Sequence, residues 1–154
     1  MIYPIPLTAI TALLGGSLLA LGFGVSTSFA APISVDVRPL ALNTEIPEQR
    51  TIGKLTYRGG LIISSLTTEF GGLSALGVSA DGERMVALTD RGRRFASQLV
   101  YDGAGNLAGL RRTTLDTMAD TDGTPLMAKS ESDIESMSPG VDGEIIVAFE
   151  RQHR

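Results

Sequence analysis

Two carboxylate side chains separated by one apolar residue are the first feature of this sequence that could do chemistry. Asp133 and Glu135 alternate around Ile134, and in a β-strand this alternation places both carboxylates on one face while Ile134 enters the core. Carboxylate oxygens are the ligands that hard divalent cations prefer. The spacing is compatible with a cation site, and a solvated edge of a sheet would explain the same pattern equally well.

A second candidate group lies at residues 89–92, Thr-Asp-Arg-Gly, where a predicted strand ends and a turn begins. Asp90 could act as a base or metal ligand, and the planar guanidinium of Arg91 suits bidentate binding of a phosphate. The alternative is that Asp90 caps the turn through backbone amides and pairs with a neighbouring arginine.

The third group is formed by residues 149–154, Phe-Glu-Arg-Gln-His-Arg. Glu150 and His153 are candidate catalytic groups, and Arg151 and Arg154 are candidate substrate-binding groups. The two arginines around His153 favour its neutral form. Hydrogen bonding at the surface is the alternative role for this histidine.

The charged residues are segregated along the chain. Residues 84–112 contain six arginines and two acids, whereas residues 116–144 contain eight acids and one lysine. The functional interpretation is an arginine-lined anion pocket beside an acidic, cation-holding loop. The alternative is that both segments form solvated surface loops that pair with each other.

Composition excludes several classes of protein. There is no cysteine, so a disulfide scaffold, a thiol nucleophile and cysteine-ligated metal are excluded. A formal net charge of −4 argues against nucleic acid as a partner, because a nucleic-acid binder needs a basic face.

The first 35 residues carry no charged side chain, and residues 5–25 form an apolar run. Ser28 and Ala30 fit the small-residue positions that signal peptidase requires, which predicts a signal peptide over residues 1–30 and cleavage before Ala31. We expect export, to the periplasm or the medium in a bacterium, with no stable membrane span after cleavage. An uncleaved N-terminal membrane anchor is the alternative, since the run is long enough to span a bilayer.

The elements that must position these groups are short strands. Residues 31–50 contain three prolines and predict an extended lead-in, and residues 51–154 have the short apolar segments of an all-β domain with little helix. Four Asp-Gly pairs, beginning at Asp81, Asp102, Asp122 and Asp142, predict turns with positive φ. The predicted strands cover residues 55–57, 61–65, 73–79, 84–89, 95–101, 107–114, 134–138 and 144–149.

An internal repeat suggests how these strands are arranged. Residues 73–93 align without a gap to residues 134–154 at an offset of 61, with six identities. One period holds about four strands, which is typical of a β-propeller blade. We therefore predict a partial β-propeller with an incomplete ring, whose missing C-terminal half is needed to close the fold. Two generic Asp-Gly hairpins that align by coincidence are the alternative.

Several motifs, in order, resemble the phytase-like domain family of exported bacterial proteins with esterase-like activity. They are YRGGLIISS (57–65), FGGLSALGVSADGERMVALTDRGR (70–93), LVYDGAGNLAGL (99–110), DTDGTPL (120–126), DIES (133–136) and FERQHR (149–154). The chain departs from the family pattern at Ile134, where the family usually has Ala, and at Ala75, where it usually has Gly.

The resemblance implies a β-propeller and a hydrolase that acts on a small phosphorylated or ester substrate. It also implies calcium as the cation held by Asp133 and Glu135, as in propeller phytases, where metal ions offset the charge of the substrate. Two further hypotheses are a non-catalytic exported propeller that binds a ligand, and an inactive fragment.

Overall fold

The computed structural model describes residues 30–127, 132–139 and 145–150. The elements bounded within these residues are eleven β-strands, so the predicted all-β fold is confirmed. In chain order they are β1 (Ala31–Pro32), β2 (Asp36–Pro39), β3 (Thr51–Ile52), β4 (Leu55–Thr56), β5 (Leu61–Ser64), β6 (Leu73–Val78), β7 (Arg84–Thr89), β8 (Arg93–Tyr101), β9 (Leu107–Thr117), β10 (Ile134–Pro139) and β11 (Ile145–Phe149).

The eight strands predicted from sequence are β4 to β11, and their ends differ from the prediction by at most three residues. The lead-in at residues 31–50 is extended as expected, but parts of it pair with the rest of the chain. β1 pairs with β9, and β2 pairs with β5. Sequence alternation did not reveal β1 and β2, because both are short edge strands with little burial.

The largest sheet has the strand order β1-β9-β8-β7-β6. β6 to β9 are consecutive antiparallel neighbours and form a four-stranded meander, and β1 is added at its outer edge. A bulge in β9 places Arg112 at a φ of 53°. Just beyond this bulge, Ile33 donates its backbone N–H to the Thr113 carbonyl at 3.1 Å, which secures the lead-in to the sheet.

The meander is covered on both faces. Phe95 lies in one core cluster, where its ring meets Phe70 edge-to-face at 5.2 Å between centroids, and Ile33, Val35 and Ile63 pack against the same cluster. Leu88 lies in a second cluster on the other face, and the β10–β11 hairpin packs there. The members of the second cluster that come from this hairpin are Ile134, Met137, Val147 and Phe149.

The two hairpins related by the sequence repeat are β6–β7 and β10–β11. Each has an irregularity at the equivalent position, between Leu73 and Ala75 in the first and between Ile134 and Ser136 in the second. Their registers differ by one residue. Leu76 pairs with Ala87, so the offset predicts that Met137 pairs with Ala148, whereas its partner is Val147.

Two of the predicted Asp-Gly turns have the expected glycine conformation, with φ of +72° at Gly82 and +89° at Gly123. The prediction for the pair at Asp102 was wrong: Gly105, not Gly103, has positive φ, at +75°. The Asp102 carboxylate accepts the backbone N–H groups of Ala104 and Asn106, which closes a longer loop. The predicted turn at Asp142 lies outside the described residues.

The predicted signal peptide lies outside the described residues except for Ala30. Within the described residues there is no helix with the length and apolar character needed to cross a membrane. Over residues 30–127, 132–139 and 145–150 the sheets do not close into a ring.

Candidate metal and anion site

The described members of the sequence-predicted groups lie where β-strands begin and end. Antiparallel pairing brings the start of β6 beside the end of β7, and the start of β8 beside the end of β9. The start of β10 likewise meets the end of β11. Backbone hydrogen bonds join these ends, from Asp90 N to Gly72 O at 2.9 Å and from Glu150 N to Asp133 O at 2.9 Å.

Three carboxylates meet at the start of β10. Asp133, Glu135 and Glu150 each offer one oxygen, and these oxygens all lie within 4.8 Å of one another. Ile134 is fully buried and holds this end of β10 in the second core cluster. Asp133 is 3% exposed, whereas Glu135 and Glu150 are exposed. The structure thus adds Glu150, which the sequence suggested as a catalytic group, to the predicted metal pair.

The donor set of this carboxylate cluster fits a hard cation. Calcium binds oxygen ligands at about 2.3–2.6 Å, so two ligands of one ion lie up to about 5 Å apart. The separation of the three oxygens falls within this span. Three like charges so close together repel each other, and a bound divalent cation would offset this repulsion. Asp133, Glu135 and Glu150 are therefore the described residues that could hold the metal.

The turn between β7 and β8 is organised by a buried threonine. Thr89 is fully buried, and its hydroxyl accepts the backbone N–H of Arg91 at 3.2 Å and that of Arg93 at 3.0 Å. The neighbouring Asp90 is half-buried against the backbone of Gly72. Gly72 has a φ of +61°, and a Cβ at this position would overlap the carboxylate of Asp90. These contacts place the Asp90 side chain beside the loop that precedes β6, and its predicted roles as a base, a metal ligand or a turn cap stay predictions.

Arg91 opens onto a cleft of about 330 Å³ lined by Thr68, Glu69, Arg91, Arg93, Met127 and Ser132. Arg91 is exposed, and Arg93 is half-buried and donates to the Thr117 hydroxyl. Among the ion pairs of the described residues, none involves either arginine. The cleft is thus lined by two guanidinium groups, one exposed and one held by the Thr117 hydroxyl.

The cleft, which we call the arginine cleft, adjoins the carboxylate cluster through Ser132. Gly92 has a φ of +67°, and a Cβ added there would lie 2.8 Å from the Ser132 Cβ. The β7–β8 turn thus packs closely against the residue that precedes Asp133. An anion bound by the arginines and a cation bound by the carboxylates would occupy neighbouring sites.

Two charged residues of the arginine cleft, Arg93 and Glu69, were not named individually as candidate site residues from the sequence. Arg93 follows Arg91 at a spacing of two, and this strand-like spacing was the available signal. Glu69 had no signal, because it lies in the loop before β6. Hydrogen bonds from its own backbone N–H and then from the Thr68 hydroxyl lower the pKa of Glu69, and the nearby charge of Arg93 acts in the same direction.

Another arginine of the basic segment does pair with the acidic segment. Arg94 donates to one carboxylate oxygen of Asp116 through Nη2 at 2.7 Å and through Nε at 3.2 Å. The Asp116 side chain is 8% exposed. Arg94 and Asp116 therefore show the pairing between the basic and acidic segments that the alternative interpretation predicted. Arg151, His153 and Arg154 lie outside the described residues, and their predicted roles stay predictions.

A family model described as "Phytase-like: Esterase-like activity of phytase" matches residues 68–154. The match covers more than half of the chain and includes the carboxylate cluster and the arginine cleft. The protein belongs to this phytase-like family, as its sequence motifs predicted. No curated protein and no solved structure matches the chain.

Proposed function

We propose that the protein is a metal-assisted hydrolase of small phosphate esters. The observation that carries the proposal is the carboxylate cluster of Asp133, Glu135 and Glu150, which lies next to a cleft containing Arg91 and Arg93. An ester with a phosphoryl group needs both kinds of contact, because its negative charge must be neutralised while its oxygens are held in place.

The residues divide this work between them. A calcium-type cation held by the carboxylate cluster would withdraw charge from the phosphoryl oxygens. Arg91, exposed at the mouth, can bind the anionic group in a bidentate manner. Arg93 is anchored by Thr117 and fixes the other side of the same group. Glu150 acts in this scheme as a metal ligand, and Asp90 acts by positioning the turn that carries Arg91.

General acid–base chemistry is assigned to His153 in this proposal, with Arg151 and Arg154 as further substrate-binding groups. The support is the sequence alone: His153 is the single histidine of the chain, and histidine is the side chain that most readily exchanges a proton near neutral pH.

The test is phosphate release from 4-nitrophenyl phosphate, with and without calcium, combined with calcium binding measured by titration calorimetry. We expect calcium to stimulate release, and we expect Asp133→Ala to lower both calcium affinity and kcat/KM by at least about 100-fold. Asp36→Ala is the matched control, since Asp36 is an exposed acid that pairs with Arg38 on β2. No calcium-dependent release, or an unchanged rate in Asp133→Ala, would overturn the proposal.

The second candidate is an exported module that binds an anion without hydrolysing it. The observation in its favour is the contact of Asp90 with Gly72, which leaves this acid engaged in the fold. Stabilisation by a phosphate ester in a thermal-shift assay, without any turnover, would favour this candidate over the hydrolase. The third hypothesis, an inactive fragment, requires a circular dichroism melt without a cooperative transition.

We also propose export, with cleavage before Ala31. The support is that β1 begins at Ala31, the first residue after the predicted cleavage site, and that Ala31 pairs with Leu115 of β9. N-terminal sequencing of the protein recovered from the periplasm or the medium should therefore begin with Ala31. Recovery in the membrane fraction with the leader intact would instead support the anchor.

For the finer architecture we propose a β-propeller in which β6 to β9 form one blade. The support is the meander itself, together with the stacking of the repeat-related β10–β11 hairpin on its face. Neighbouring blades of a propeller stack in this way.

A further inference from the structure

Among the described residues that line it, the arginine cleft contains one acid beside its two arginines. Glu69 lines the cleft together with Arg91 and Arg93. It also lines a second, smaller cleft of about 180 Å³, again with Arg93 and with Thr117. Glu69 and Arg93 therefore face the same space in two adjoining clefts. The charge that the arginine cleft offers to an anion is smaller than that of two arginines alone.

Glu69 is held in this position by local contacts. The Thr68 hydroxyl donates to the Glu69 carboxylate at 3.1 Å. Glu69 lies within a turn that is closed where Phe70 donates its backbone N–H to the Thr67 carbonyl at 3.0 Å. Phe70 is in turn packed on Phe95 in the core of the meander. Core packing thus fixes Phe70, the residue that directly follows Glu69.

The remaining walls limit what could accompany a bound phosphate. Ser132 leads directly to the carboxylate cluster, so negative charge lies on that side as well. Met127 is 71% exposed and gives the cleft an apolar wall. A volume of about 330 Å³ accommodates one phosphoryl group with a small organic group attached.

We propose that Glu69 is a specificity-determining residue that restricts the site to esters carrying a single phosphoryl group on an uncharged, partly apolar organic group. One phosphoryl group carries a charge of about −1.5 to −2, and Arg91 and Arg93 are the two cationic side chains that line the described part of the cleft. Further phosphates on the same molecule would meet the Glu69 carboxylate in the same cleft, and like charges at close range repel. The inference rests on the proposed function for its substrate chemistry, but selectivity can be measured by binding alone.

The experiment compares 4-nitrophenyl phosphate with inositol hexakisphosphate, using kcat/KM in calcium-containing buffer and the Kd of each compound with the protein by titration calorimetry. The variant is Glu69→Gln, which keeps the shape and can still accept the Thr68 hydroxyl. Glu83→Gln is the matched control, because Glu83 is an exposed acid in the loop between β6 and β7, at the opposite end of these strands. It changes the net charge equally without touching the cleft.

We expect the wild-type protein to favour the single phosphate. The preference is the ratio of kcat/KM for the hexakisphosphate to kcat/KM for 4-nitrophenyl phosphate. We expect Glu69→Gln to raise this ratio about fivefold more than Glu83→Gln does. If the wild-type protein favours the hexakisphosphate, or if the two variants change the preference equally, the role of Glu69 is wrong while the hydrolase proposal stands. If neither compound is hydrolysed, the hydrolase proposal fails, and the ratio of the two Kd values decides the role of Glu69 by the same criteria.

Discussion

The hairpins β6–β7 and β10–β11 share a sequence pattern but differ in how deeply they are buried. In β7, Met85, Ala87 and Leu88 are all buried, because β8 pairs with the strand and side chains pack on both faces of the sheet. In β11 the equivalent positions are exposed or half-buried. Within the described residues, β11 pairs with β10 alone.

The difference teaches that a repeated sequence specifies a hairpin but does not by itself specify its burial or register. Both hairpins keep an irregularity at the same position, yet their pairing differs by one residue. Register is most strongly specified where one face is fully buried. The candidate site lies where the well-buried hairpin and the less-buried one meet, so each can be perturbed separately.

The largest expected difference concerns the apolar residue that the repeat places near the end of each hairpin. Leu88→Ala should reduce the free energy of unfolding by about 3 kcal/mol, because it removes buried methyl groups and leaves a cavity. Phe149→Ala, at the repeat-related position, should cost about 1.5 kcal/mol, because the ring is only half-buried. Urea denaturation of both variants measures the difference. Equal losses would contradict the contrast between the hairpins.

The next effect concerns the contact that joins the meander to β10. Gly92→Ala should cost about 2 kcal/mol, since an added Cβ would meet the Leu126 carbonyl and Ser132 in a conformation that suits glycine. Gly123→Ala is the matched control: its φ is also positive, but nothing lies within 4 Å of the added Cβ. We expect about 1 kcal/mol for this control. Only Gly92→Ala should also weaken calcium binding, which calorimetry measures, and a loss in both variants would refute this link.

A smaller effect concerns acid stability in the loop of the first hairpin. Hydrogen bonds from the Ser79 hydroxyl and then from the Glu83 backbone N–H lower the pKa of Asp81. A carboxyl whose pKa is lower when folded stabilises the protein above its unfolded pKa of about 3.9, and this stabilisation is lost as the pH falls through the folded value.

Asp81→Asn should therefore weaken the pH dependence of the urea midpoint between about pH 4 and pH 2. Asp142→Asn provides the comparison at the repeat-related position. If it changes the pH dependence of the urea midpoint as much as Asp81→Asn does, the two hairpins are alike in their turns as well. An unchanged slope in Asp81→Asn would show that this carboxylate does not contribute to folding.

The smallest expected effect comes from the exposed surface of the second hairpin. Ile146 is 64% exposed, whereas Met85 at the repeat-related position is buried. Ile146→Ser should change the free energy of unfolding by no more than about 0.5 kcal/mol, and Met85→Ser should cost several times as much. A large loss for Ile146→Ser in thermal denaturation would indicate that this face of β11 is covered in solution.

Much of the local structure could be predicted from the sequence because it depends on short-range patterns. The short apolar run in residues 84–89, bounded by Asp and Gly residues, predicted β7, whose bounds are as expected, and the pairs at Asp81 and Asp122 predicted glycines with positive φ. The turn at Asp102 departed from the prediction because its carboxylate caps two backbone N–H groups farther along the loop. Side-chain capping of this kind competes with the simplest turn.

The sequence by itself determined the all-β class, the family, and the pairing of Asp133 with Glu135 around Ile134, because each of these depends on residues adjacent in the chain. Only the tertiary structure brought Glu150 to that pair and placed Glu69 beside Arg93 in one cleft. Glu150 lies 15 positions after Glu135, and Glu69 lies 24 positions before Arg93. Their proximity depends on strand pairing and on the packing of one sheet upon another. Such contacts depend on which faces of the strands are buried against each other, and this burial is decided by the tertiary packing.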